Sequence, residues 1–145
     1  MKDYSKYSAI IIGAGDATGA ALTRKFASHG YKVCPVRRPG SEEKINALAD
    51  EINNSGGWAK GFGVDARDED SIVSLFKEVE ENIAPIDVVI FNPGANVFFS
   101  IEEILRTKKP RAFFLENVRH LKNHDEGKTF KTISSADIKS TRSYL

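Results

Sequence analysis

Ser8-Ala-Ile-Ile-Ile-Gly13-Ala-Gly15-Asp-Ala-Thr-Gly19 is the stretch on which the rest of the chain depends. Ala9 to Ile12 is a short apolar run that reads as a buried strand. It breaks at glycines and small residues, and Ala20, Ala21, Leu22, Phe26 and Ala27 then follow at helical spacing. A strand, a glycine-rich turn and a helix in that order form the unit where α/β sheets hold a dinucleotide. Gly13 would let the chain turn off the strand, Gly15 would remove a Cβ where a diphosphate approaches, and Gly19 would let the helix pack closely. The helix's first N–H groups and its dipole would then favour phosphate charge. The spacing is G-x-G-x-x-x-G, with Thr18 where the dinucleotide fingerprint has its last glycine. A tight βα turn holding no ligand could carry the same residues.

Working outward, the first helix spans about residues 17–28 and stops at Gly30, a good residue for a helix C-terminus. Tyr31-Lys-Val-Cys-Pro-Val36 is a second strand, with Pro35 awkward inside it because proline cannot donate to a ladder. Ser41 opens a second helix carrying Ile45, Leu48, Ala49 and Ile52. Trp58 to Val64 reads as a third strand, and Ile72, Val73, Leu75, Phe76 and Val79 as a third helix. Ile86-Asp-Val-Val-Ile-Phe91 is a fourth strand, apolar enough to be buried on both faces. Strands alternating with helices through short connections predict an α/β fold, a doubly wound parallel sheet with helices on both faces.

At 145 residues, 41% hydrophobic and 28% charged, the chain suits one soluble domain. No run approaches the roughly 18–20 apolar residues of a membrane span, and Met1 to Tyr7 carries no leader pattern. A single cysteine, Cys34, fits a reducing compartment, so a cytoplasmic protein without membrane partners is expected. Residues 1–105 hold 11 Lys/Arg against 16 Asp/Glu, a balance of −5, and 106–145 hold 10 against 4, a balance of +6. The expected division is therefore a nucleotide-binding domain at 1–105 and a basic segment at 106–145. The basic segment lacks interleaved aromatics or a binding motif, and no nucleic-acid partner is expected. His120 and His124 lie four apart beside Asp125 and Glu126, but no third ligand motif joins them, so no metal is expected.

Arg37 and Arg38 end the second strand, and no acidic residue lies between Lys32 and Pro39. An acidic residue at that place takes a ribose 2′-hydroxyl, whereas arginine accommodates a 2′-phosphate. NADP is therefore expected over NAD. Asp65 ends the third strand and Asn92-Pro-Gly94 the fourth, both at carboxyl ends where such sheets bind ligands. Asp65 could equally cap the following helix, and Asn92 could simply make a turn.

Together these features resemble the short-chain dehydrogenase/reductase family. Against that family's TGxxxGxG segment, Gly13 and Gly19 match, Ile12 replaces the threonine and Ala17 the middle glycine. Asp65 matches its adenine-contacting aspartate, and Phe91-Asn-Pro-Gly94 looks like its NNAG segment. The likeness is good over about 7–105. It implies a Rossmann-type fold and a cofactor site made of Gly13, Gly15, Asp16, Ala17, Gly19, Arg37, Arg38, Asp65, Ala66, Asn92 and Gly94. It also implies hydride exchange between NADP(H) and a small carbonyl or alcohol substrate, in a chain that could pair with itself or a relative.

Beyond Ile104 the likeness thins. Asn117 fits the family's helical asparagine, and residues 128–134 would be a fifth strand leading to a catalytic serine at Ser135. The family's Tyr-x-x-x-Lys, its proton-transfer pair, would fall after Leu145, as would its later strands and helices. Two alternatives stay open beside an active oxidoreductase: a non-catalytic NADP-binding module that pairs with a full-length relative, and a truncated product.

Overall fold

A computed structural model describes residues 3–15, 17–92 and 110–115. Among the described residues six strands form one parallel sheet: β1 (Ser8–Ile12), β2 (Lys32–Arg37), β3 (Trp58–Ala59), β4 (Phe62–Gly63), β5 (Ile86–Phe91) and β6 (Ala112–Leu115). Their order is β3-β2-β1-β5-β6, with β4 also pairing β2. Three helices are described between them: α1 (Thr18–Ser28) joins β1 to β2, α2 (Glu42–Asn54) joins β2 to β3, and α3 (Glu69–Asn82) joins β4 to β5. This is the expected Rossmann-like sheet with its helices around it.

β1 lies at the centre and is buried along its whole length. Successive side chains of a strand face opposite ways, so a strand covered on both sides must be apolar throughout. Ile10 and Ile12 accordingly join Cys34, Val36, Val89 and Phe91 under α3. Ala9 and Ile11 join Val33, Val88 and Ile90 under α1 and α2. α2 buries Ile45, Leu48, Ala49 and Ile52, and α3 buries Ile72, Leu75, Phe76 and Val79. Both sets repeat at the i, i+3, i+4, i+7 spacing of one helical face. Phe76 is 1% exposed, and truncating such a side chain to Ala costs about 3–5 kcal/mol.

The third strand differs from the single run expected over 58–64. β3 pairs Lys32 and Val33, β4 pairs Val36 and Arg37, and the ladder lapses between them. The common register sets Pro35 opposite Gly61 in that gap. Proline offers no N–H there, so the neighbouring strand has nothing to accept and divides in two. On the other side of the sheet, the strand beside β5 is β6. The fifth strand expected at 128–134 lies outside the described residues.

Candidate functional site

The site is assembled at the carboxyl ends of β1, β2, β4 and β5. Gly13 leaves β1 with φ +84°, a conformation glycine adopts without strain. The N–H groups of Gly13 and Ala14 both donate to Val36 O at 3.0 Å, which pins the turn to the end of β2. Gly15 N–H donates to Gly13 O at 2.8 Å, and Ala20 N–H donates to Gly15 O at 2.9 Å as α1 begins. Asn92 ties in the end of β5. Its N–H donates to Ile12 O at 2.8 Å, and its Nδ2 donates to Gly13 O at 3.4 Å. Asn92 is thus more than a turn former, because it braces the glycine loop from the neighbouring strand.

The two remaining glycines of the loop meet opposite surroundings. A Cβ on Gly19 would overlap Gly13 O and come within 2.6 Å of Ala14 Cα, so only glycine lets α1 start so close to β1. A Cβ on Gly15 would meet nothing within 4 Å. Gly15 faces a cleft of about 280 Å³ that Ala14, Arg37, Lys44 and Leu48 also line. At the cleft's border Arg24 clasps Glu51 through Nε and Nη2, at 2.7 and 2.8 Å. The pair raises the Arg24 pKa and lowers that of Glu51 through those hydrogen bonds.

Helix starts differ in their charge. α2 carries Glu42 and Glu43 in its first turn; α3 carries Glu69 and Asp70 and is capped by Asp68. α1 begins after Ala17 with no side-chain cap and no acidic residue in its first turn. Among the described residues no acidic side chain offsets its positive dipole end beside Gly15, a place where anionic groups are stabilised. An open cradle at Gly15 and a cleft wall carrying Arg37 and Lys44 beside the Arg24–Glu51 pair suit a phosphorylated dinucleotide.

Asp65 follows β4 and is not the cap of α3. That role belongs to Asp68, whose Oδ1 accepts from Ser71 N–H at 3.5 Å and whose Oδ2 accepts from Ser71 Oγ at 2.6 Å. The Asp65 carboxylate is instead held by Arg67: Oδ1 accepts from the Arg67 N–H and Nε, both at 3.0 Å, and Oδ2 accepts from Nη2 at 2.6 Å. These hydrogen bonds, with the nearby charges of Arg67 and Arg38, bring its pKa down to about 2. Ala66 is half-buried against the α3-side core.

Gly13, Gly15, Ala17, Gly19, Arg37, Arg38, Asp65, Ala66 and Asn92 thus share one edge of the sheet. Asp16, Gly94, Asn117 and Ser135 lie outside the described residues, as do His120 and His124. Among the described residues no group of three or more His, Cys, Asp or Glu could hold a metal, and no helix is long and apolar enough to cross a membrane. Lys44 and Arg67 were not singled out from the sequence. The sequence trace of the first is Lys44, Leu48 and Glu51 at helical spacing, and of the second the Asp-x-Arg turn after β4.

Residues 7–119 match the family model described as short chain dehydrogenase. A fatty acyl-CoA reductase of Mycobacterium tuberculosis is 33% identical over 96 residues, 66% of this chain and 32% of that protein. A metagenomic short-chain oxidoreductase solved in complex with NADP superposes with a TM-score of 0.60 at 31% identity, over 67% of this chain and 43% of that one. The chain thus spans about a third of the reductase and less than half of the solved oxidoreductase. A shorter match of another kind is also present. A type II methyltransferase of Haemophilus parainfluenzae is 62% identical over 37 residues, 26% of this chain and 10% of that protein.

Proposed function

Because the chain belongs to the short-chain dehydrogenase family, we propose that it binds NADP(H) in preference to NAD(H) and serves hydride exchange with a small carbonyl or alcohol substrate. The observation that carries this reading is Arg37, the last residue of β2, lining one cleft with Gly15. An arginine fork there supplies charge and paired donors to a 2′-phosphate, with Lys44 on α2 as a second cation. Asp65 receives the adenine amino group, the first turn of α1 faces the diphosphate, and Asn92 keeps the glycine loop in shape. The NADP complex of the metagenomic relative supports the same choice of cofactor.

When bound, the nicotinamide supplies or takes the hydride. The proton must then move through a residue positioned at the substrate oxygen. Asn117 and Ser135 are proposed for the substrate side. No Tyr-x-x-x-Lys occurs among the 145 residues, so in this reading another group carries the proton. We place the protein in the cytoplasm, where a buried, reduced Cys34 is stable.

Thermal unfolding with NADPH or NADH tests the reading. A ligand at about 100 times its dissociation constant adds about 2.7 kcal/mol of stability. NADPH should raise the melting temperature more than NADH, and Arg37→Ala should erase the difference. A larger shift with NADH would overturn the 2′-phosphate assignment.

The methyltransferase match favours a second reading. Its 37 residues and the 96 matched by the reductase together number fewer than the 145 of the chain. We assign it to the basic stretch after 105, where the dehydrogenase likeness thins and the charge changes sign. The chain would then join a dinucleotide-binding head to a segment of different origin and act as a non-catalytic NADP-binding module. NADPH binding without carbonyl reduction favours this reading; turnover by the purified chain excludes it.

A further inference from the structure

We propose that Arg67 is a positioning residue that presets the Asp65 carboxylate to accept the adenine amino group of the dinucleotide, an inference that rests on the cofactor reading above. A carboxylate on an exposed turn rotates freely, and ligand binding must then arrest it at an entropic cost. Here the arrest is built in. Arg67 contributes three donors from two directions: its own N–H and Nε to Oδ1, and Nη2 to Oδ2. The backbone contact fixes one oxygen to the turn, and the planar fork sets the tilt of the carboxylate plane.

The arrangement leaves acceptor capacity. A carboxylate offers about four lone-pair directions, and Arg67 takes two on Oδ1 and one on Oδ2. Oδ2 therefore keeps one for an incoming N–H. No other hydrogen bond to the Asp65 side chain competes among the described residues, because Asp68 does the capping. The Arg67 side chain is 72% exposed, which argues against a packing role. The low pKa agrees: the group stays an anion, and hence an acceptor, throughout the neutral range.

The test pairs two protein changes with two ligands, read by calorimetric titration of the purified full chain. The ligands are NADPH and its hypoxanthine analogue, in which a carbonyl replaces the adenine amino group and the donor to Asp65 is lost. Arg67→Ala should weaken NADPH about three- to tenfold, the range expected for ordering one side chain on binding, and leave the hypoxanthine analogue unchanged. Arg67→Lys should not restore affinity, since a point charge lacks the fork. The melting temperature without ligand should stay at the wild-type value in both variants. Equal losses on both ligands would assign Arg67 to a phosphate and overturn the proposal, as would rescue by lysine or no loss at all. If the wild-type chain bound neither dinucleotide, the cofactor reading would fall and this inference with it. If it bound NADPH but Arg67→Ala did not discriminate between the bases, only this inference would fall.

Discussion

Gly19 and Gly15 stand four residues apart in one loop, and alanine should have opposite consequences at the two. At Gly19 the added Cβ would overlap Gly13 O and lie 2.6 Å from Ala14 Cα and 3.0 Å from Ala14 C, against 3.4 Å or more for ordinary contact. All three are backbone atoms, and Gly13 and Ala14 are pinned to Val36 O, so none can swing aside as a side chain would. Overpacking of this kind costs about 1–3 kcal/mol, and the rigid partners put it at the upper end. Alanine's better helix propensity returns about 1 kcal/mol. The net loss is about 2 kcal/mol, or about 6–7 °C in melting temperature for a domain of this size. At Gly15 no atom lies within 4 Å of the new Cβ and no left-handed φ is required. Gly15→Ala should therefore melt at or slightly above wild type, since it removes freedom from the unfolded chain. Its methyl group would project toward the cleft and should lower NADPH affinity at least about tenfold, a loss of about 1.4 kcal/mol. Scanning calorimetry with and without NADPH reads both variants. A Gly19→Ala protein melting within a degree of wild type would refute the close-packing argument. A Gly15→Ala protein binding NADPH as wild type does would refute the phosphate cradle.

Arg111→Ala should cost about 2–3 kcal/mol in urea unfolding. Asp87 is only 4% exposed, and Arg111 Nη2 donates to its Oδ2 at 2.6 Å; loss of one partner leaves a buried carboxylate poorly compensated. The value sits low because Arg111 is half exposed and water can take its place. Stability should also fall in alkali through Tyr31, whose phenol is pushed up chiefly by burial and then by its 2.7 Å hydrogen bond to Asp87. A group with a raised folded pKa gives stability that is whole below its unfolded pKa, about 10 for tyrosine, and is lost as pH rises above it. Tyr31→Phe should flatten that alkaline decline in a series of urea midpoints from pH 8 to 11. Burial pushes the Cys34 thiol up to about 12, so a thiol reagent at pH 8 should leave native protein unlabelled and react once urea unfolds it.

The amino-acid sequence by itself determined the alternation of strands and helices, because each element announces its period over a dozen residues or fewer. Ile10 and Ile12 against Ala9 and Ile11, or Ile45, Leu48, Ala49 and Ile52 on one helix, need no partner to be recognised. The glycine loop was legible for the same reason, and so was Arg37 at a strand end. Only the tertiary structure decided what depends on residues far apart in the chain. Pro35 was visibly misplaced in a strand, yet its consequence falls on Gly61 and divides the strand there. Asp65 stayed open to a capping role until the helix start fixed Asp68 as the residue that reaches Ser71. A register shift between Ser8 and Ala9 leaves Asp87 without a counterpart in β1, and Asp87 meets Tyr31 and Arg111 across 56 and 24 residues. Asn92 reaches Gly13 across 79. Local periodicity carries no record of such meetings, because they are set by how strands lie side by side once the sheet has closed around β1.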